Sequence, residues 1–163
     1  MMIRNIVFAA TLLAPLAATA QELPTAPYLP LETAIKAADA ALKACVADGN
    51  NVSVAIVGRD GSTKVLLKAD NSGAHTVTSA TGKAFTSASL GRDTAGLAEF
   101  IAAKPANEGL RDMDPRMVIL GGGLPIKFGK ALVGGIGVGG SPSGDIDAKC
   151  AVAGLKAIGA ATE

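Results

Sequence analysis

The sequence predicts an α+β domain, a mainly antiparallel sheet of five strands flanked by helices. Three features carry that reading. Apolar residues recur at helical spacing over residues 31–45, two β-rich runs meet at Asp60-Gly61, and three later apolar runs are separated by glycines. Adjacent strand pairs bracketed by helices point to helical layers on an antiparallel sheet, not to alternating βαβ units. A length of 163 residues suits one domain, able to bury roughly two-thirds of the surface its unfolded chain exposes.

Residues 1–20 are set apart from the fold. Arg4 precedes an apolar run from Ile6 to Leu16, which Pro15 interrupts, and Ala18-Thr19-Ala20 follows. A charge, a short apolar stretch and small residues in that order form a secretory signal peptide. The apolar run is too short to remain as a membrane anchor. There is neither a twin-arginine pair nor a cysteine just after Ala20. The expectation is a soluble periplasmic or secreted protein, cut near Ala20, with no membrane insertion.

Residues 21–30 hold Pro24, Pro27 and Pro30 and read as an extended arm ahead of one domain over residues 31–163. Leu31, Ile35, Ala38, Leu42 and Cys45 step by three and four, one face of an amphipathic helix, and Asp48-Gly49 stops it. The runs 52–57 and 63–67 flank the Asp60-Gly61 turn as a hairpin. A second helix is expected from Thr76 to Ala88. A third starts after Asp93-Thr94, either of which can cap it, and ends before Pro105. Residues 106–115 are polar and read as loop. The runs 117–120, 124–128 and 131–138 are the last three strands. A final helix covers residues 145–158, with Asp145 and Asp147 in the first turn, where the macrodipole favours acids.

Composition excludes several functions. Fifteen Lys and Arg stand against fourteen Asp and Glu, and loss of Arg4 with the leader makes them equal. That leaves no basic footprint for nucleic acid or an anionic membrane. At 49% hydrophobic the chain is too apolar for disorder. Gly135-Ile136-Gly137-Val138-Gly139-Gly140 has the letters of a dinucleotide fingerprint, but only a helix follows it, with no further strand carrying an acidic residue. One histidine and two distant cysteines offer no zinc-site spacing, and no Gly-x-Ser-x-Gly elbow marks a hydrolase. Cys45 and Cys150 fall on inward faces of the first and last helices. In an oxidising compartment they can form a disulfide, worth up to about 4 kcal/mol in the chain-entropy model; equally, they can be two small buried residues.

Three stretches together resemble the GlcG/HbpS family, a haem-binding or "haem-degrading" domain also found at the C-terminus of PduO-type proteins. They are Val54-Ala55-Ile56-Val57-Gly58-Arg59-Asp60-Gly61; Lys83-Ala84-Phe85-Thr86; and Gly122-Gly123-Leu124-Pro125-Ile126, continuing through Val133–Gly140 to Asp145 and Ala153-Gly154. The resemblance spans about residues 31–160, and the exported subgroup looks closest. It implies a profilin-like sheet flanked by helices, homo-oligomers, and haem bound non-covalently by some members. It matches a threonine that contacts haem iron to Thr86. Lys83 is then either a partner of a haem propionate or half of a surface ion pair. Gly122, Gly123 and the glycines of 134–140 form a close-approach wall. Some exported members carry paired iron-binding acids on this helix; Thr78 and Thr81 stand there instead, so that iron site is not carried over.

Haem iron takes an axial donor, usually His, Met, Cys or Tyr. Besides Thr86 the mature chain offers His75, Met113, Met117 and Tyr28. His75 is the best placed, although it lies outside the family pattern and is equally read as a solvated helix-start residue. Two functions of different class follow. One is an exported, non-enzymatic protein that buffers, carries or senses haem and reports to a membrane sensor partner. The other is an enzyme or binding protein for a small organic acid or related metabolite. Haem degradation has less support, because no residue beyond His75 is an evident acid or base. With 3% aromatic residues, aliphatic side chains and a subunit interface would have to bury most of a haem.

Overall fold

The computed structural model describes residues 22–162, so the signal-peptide reading lies outside the described residues. The elements run α1 (Leu31–Ala47), β1 (Ser53–Gly58), β2 (Thr63–Lys68), α2 (Thr76–Leu90), α3 (Thr94–Ala102), a 3-10 helix (Pro105–Asp112), β3 (Gly123–Phe128), β4 (Ala131–Gly139) and α4 (Gly144–Ala157). The sheet has the order β2-β1-β4-β3, with every neighbouring pair antiparallel.

Local chemistry sets the ends of these elements. Gly49 takes φ 76° just after α1, a conformation that costs glycine nothing. Asp93 caps α3 by accepting from the Gly96 N–H at 2.6 Å, and Ser143 caps α4 by accepting from Ile146 N–H at 3.3 Å. At the other end of α2, Arg59 Nη1 donates to the carbonyls of Ala88 and Ser89, at 2.9 and 3.3 Å. A guanidinium there meets the negative end of the helix dipole.

The sheet separates two layers. On one face Val54 and Ile56 of β1 and Ile136 and Val138 of β4 pack with α1 and α4. On the other, Ala55 and Val57 meet Ala80, Ala84, Phe85 and Ala88 of α2. Cys45 of α1 and Cys150 of α4 are joined by a disulfide with 5.4 Å between their Cα atoms. Gly154 lets these two helices approach; a Cβ there would lie 2.6 Å from the Ala37 carbonyl oxygen.

Two expectations are corrected. The sheet has four strands, because residues 117–120 cross α2 instead of joining the ladder. Gly82 makes room for the crossing, since a Cβ there would collide with Val118 and lie 2.8 Å from the Arg116 carbonyl oxygen. Thr86 and Thr94 then take up the backbone groups of Val118 and Leu120 that a strand would have spent on a neighbour. The stretch read as loop at 106–115 contains the 3-10 helix, begun by Pro105, whose missing N–H is no loss in a first turn.

The contact between α2 and β4 is the closest in the fold. A Cβ on Gly137 would run into the Ala80 carbonyl oxygen, one on Gly135 into that of Ala84, and one on Gly139 would lie 2.8 Å from Ser79 Oγ. Four helical residues rise about 6 Å and two strand residues about 6.8 Å, so an alanine every fourth position keeps step with a glycine every second. Helix α2 is rich in Thr and Ser, which favour helix weakly; it is this seat on the sheet that stabilises it.

One ion pair ties the layers together. Lys83 of α2 and Asp147 of α4 are both buried, with Nζ 2.8 Å from Oδ2. Lys83 also donates to the Val138 carbonyl at 2.9 Å, and Asp147 Oδ1 accepts from the Ser141 N–H at 3.2 Å. Buried charges persist only when paired and hydrogen-bonded in this way.

Two stability predictions follow from this packing. Gly137→Ala should lower unfolding free energy in urea by about 1–3 kcal/mol or more, as overpacking does. Gly109→Ala, whose Cβ would meet open space, should change it by less than about 0.5 kcal/mol. Asp147→Ala should cost about 3–5 kcal/mol by stranding a buried ammonium. The double variant Lys83→Met/Asp147→Leu should recover much of that loss, short of the Val138 and Ser141 hydrogen bonds it gives up. Equal losses in the single and double variants would refute the role of the charge.

Candidate functional site

The residues the sequence singles out are scattered by the fold, and most are spent inside it. Thr86 is fully buried. Its Oγ1 sits 2.8 Å from the Gly82 carbonyl as donor and accepts from the Val118 N–H at 3.0 Å. The Thr86 hydroxyl fastens the crossing segment to α2. The reading of Lys83 as half of a surface ion pair is corrected: it is buried, and its ammonium is held between Asp147 and Val138.

Gly122 and Gly123 are closely approached by the rest of the fold. A Cβ on Gly122 would lie 2.6 Å from Asp147 Cβ, and one on Gly123 2.6 Å from the Lys83 carbonyl oxygen. With φ 113° at Gly122, the pair lets β3 start directly against α2 and α4. The neighbouring glycines of β4 serve α2 as described above. The Ser87 hydroxyl, beside Gly123, is buried with no hydrogen-bond partner.

The remaining candidate donors differ in setting. His75 is exposed at the start of α2 and lines neither cavity. Met113 is exposed, whereas Met117 packs against the Ala55–Phe85 cluster. Cys45 and Cys150 are bonded to each other. Tyr28 is 76% exposed, and of the potential iron donors it alone lines a cavity. Among the described residues no three His, Cys, Asp or Glu side chains gather as a metal site.

Two cavities lie at the rim of the sheet. The first, about 430 Å³, runs between the α2–α3 junction, β3 and the C-terminal tail; Leu124, Pro125 and Leu155 contribute apolar surface, and Arg92, Asp93 and Lys127 contribute charge. The Arg92 guanidinium stands 4.9 Å from the Phe100 ring centre, and Asp93 is engaged as the α3 cap. The second, about 390 Å³, lies under the N-terminal arm, where Tyr28 meets Arg59, Asp60, Lys64 and Val133. Asp60 accepts from both the N–H and the O–H of Ser62, which lowers its pKa.

Sequence reasoning missed Asp147, Arg59 and the Arg116 cluster. Asp147 shares the stripe of Cys150, Ala151, Gly154 and Leu155, just as Lys83 shares that of Ala80 and Ala84. Opposite charges on two inward stripes were the available signal. Arg116 covers the Phe85 ring at 4.0 Å and grips both carboxylate oxygens of Asp114. That side-chain grip, reinforced by the Arg116 N–H, holds the Asp114 pKa at about 2.

Comparisons with known proteins agree with this architecture. Among solved structures, an HbpS double mutant from Streptomyces reticuli is 44% identical, with 90% of this chain and 97% of that chain covered and a TM-score of 0.79. The Klebsiella pneumoniae protein ORFY superposes with TM-score 0.79 at 23% identity, covering 87% of this chain and 98% of its own. A PduOC:heme complex does so with TM-score 0.77 at 24%, covering 84% and 99%. At those identities the last two speak for the fold alone. No curated protein sequence matches the chain. A family model described as "Haem degrading protein HbpS-like" matches residues 29–156, from the end of the arm to α4, and the chain belongs to that HbpS-like family.

Proposed function

We propose that this chain is an exported haem-binding protein that buffers, carries or senses haem, works as a homo-oligomer and reports to a membrane partner. The observation that carries the reading is its 44% identity to HbpS over nine-tenths of the chain, within a family described by haem chemistry. Export is favoured by the buried Cys45–Cys150 disulfide, a bond that persists in oxidising compartments. Assembly is favoured by Leu31, Ile35 and Val46, which stand exposed on α1.

Both sheet faces are covered, and Thr86 and Lys83 are engaged within the fold. On this reading haem is held at the surface of the domain, with a subunit interface covering much of it; when bound, it would supply the iron and the redox chemistry. Partial exposure makes such a site exchangeable, which suits a carrier or sensor.

A second reading rests on the larger cavity. It holds Arg92 and Lys127 and no iron donor, an arrangement suited to a small organic acid.

Three measurements test these readings. Expressed with its leader in a bacterium, the protein should be recovered outside the cytoplasm with Gln21 at its N-terminus. Titrated with ferric haem, it should develop a saturable Soret band at one haem per chain; no saturable binding would overturn the haem reading. For the second reading, di- and tricarboxylates at 100-fold their Kd should add about 2.7 kcal/mol of stability. That gain should vanish in Arg92→Ala/Lys127→Ala, and a panel that shifts nothing would dismiss it.

A further inference from the structure

We propose that a second copy of this chain docks on the open edge of β2 and the outer flank of α1. Across a two-fold axis β2 pairs antiparallel with its counterpart and α1 packs on its own, which joins the two four-stranded sheets into one. The inference rests on the homo-oligomer reading above and assigns its interface.

The fold treats the two edges of its sheet differently. In an antiparallel ladder, bonded and unbonded pairs alternate, so every second residue of an edge strand turns its backbone groups outward. On β3 those positions are engaged or lack a donor. The Gly123 N–H donates to Thr94 Oγ1 at 2.9 Å, Pro125 has no N–H, and the Lys127 carbonyl accepts from the Ala161 N–H at 2.9 Å. On β2 they are open. The Ala69 N–H donates to the Val52 carbonyl at 2.9 Å, which makes Leu67 and Val65 the residues bonded to β1 in the register that follows. Leu66 and Lys68 therefore face out, and among the described residues no hydrogen bond reaches their backbone groups. No proline interrupts the strand, and Leu66 at its centre is 42% exposed. An open edge of this kind is a template for another strand.

Helix α1 supplies the apolar half of the surface. It rests on β1 and β2 and meets α4 through Ala37 and Ala41, which Gly154 approaches. At 3.6 residues per turn, Leu31, Ile35, Leu42 and Val46 share one stripe about 130° round the helix from those alanines. That stripe lies on the flank away from α4, above the free edge of β2, and Leu31, Ile35 and Val46 in it are exposed. Spacing then selects a second copy. An axis beside β2 lies about 4.8 Å from the line midway between β1 and β2, over which α1 sits. The two α1 helices would stand about 9.6 Å apart, within the range of about 8–10 Å at which helices pack. Each copy offers the same edge and the same stripe, as a closed two-fold contact requires. Register is fixed by charge. Centring on Leu66 sets leucine on leucine, whereas centring on Lys68 sets two ammonium groups opposite each other. In the Leu66 register Lys68 comes opposite the bulged Lys64, and its ammonium is drawn off to the Ser72 carbonyl.

The test uses the chain without residues 1–20, followed by sedimentation equilibrium and amide hydrogen exchange. Wild type should sediment as a dimer or a multiple of it, with the Leu66 and Lys68 amides protected. Ile35→Glu/Val46→Glu, which sets like charges across the axis, should raise the dissociation constant at least tenfold with an unchanged far-UV spectrum. In that variant the Leu66 and Lys68 amides should exchange freely, while those of Val65 and Leu67, bonded to β1, stay protected. Leu66→Cys gives a positive arm. A bonded antiparallel pair holds its Cα atoms about 5.5 Å apart, inside the disulfide range, so air oxidation should link two chains. Leu120→Cys, equally exposed but elsewhere on the surface, should not link. An assembly that survives Ile35→Glu/Val46→Glu, freely exchanging Leu66 and Lys68 amides in the wild-type assembly, or equal linking by both cysteine variants would each overturn the assignment and leave the homo-oligomer reading standing. A wild-type chain that is monomeric at every concentration would overturn both.

Discussion

The near-contact of α2 with β4 governs most of what the chain can and cannot do. Alternate glycines strip one face of β4 of side chains, and alanines spaced by four do the same for the facing stripe of α2. Backbone then rests almost on backbone, where dispersion contacts are dense but no side chain fills space between layers. The short separation has consequences along the whole helix. It lets Lys83 reach past the end of β4 to Asp147, and it brings Ser87 and the Lys83 carbonyl against Gly123 at the start of β3. A pocket between α2 and the sheet is incompatible with this arrangement.

This recasts the sequence stretches that carry the family resemblance. Lys83-Ala84-Phe85-Thr86 looks like a ligand motif because it places a cation and a hydroxyl one turn apart. In the fold each of its residues serves a different part of the structure. Lys83 pairs with α4, Ala84 rests on Gly135, Phe85 lies under Arg116, and Thr86 fastens Val118. The glycine runs are equally architectural. A motif fixed by close packing identifies the fold more reliably than it identifies the ligand.

Most of the architecture was legible in the sequence, for reasons that also mark the limit. Helices α1 and α4 and the two hairpins show in local periodicity and turn residues, which depend on near neighbours in the chain. Residues 117–120 have the same apolar character as a strand, yet whether they join the sheet depends on Gly82, Thr86 and Thr94, more than twenty residues away. The buried Lys83–Asp147 pair was hidden for a related reason: charges conventionally read as surface here compensate each other in the interior. Candidate site residues were the least legible, because residue type alone does not tell a hydroxyl or cation spent on the fold from one offered to a ligand.

What remains for function is the rim. With both faces of the sheet covered, polar side chains not consumed by packing collect where elements end: the arm, the β1–β2 turn, the α2–α3 junction and the C-terminal tail. The scarcity of aromatic residues sharpens this. Phe85 is nearly buried under Arg116, whereas Phe100, with Arg92 over its ring, and Phe128 are partly exposed. Tyr28, by contrast, is kept in solvent by an arm whose next residue is locked into the core. Exposing so large an apolar surface forgoes roughly 1.5–3 kcal/mol of burial, and no contact described within the chain offsets it. A partner that covers the ring, whether a flat ligand or a neighbouring subunit, removes that cost, and the cations beside it favour one that carries negative charge.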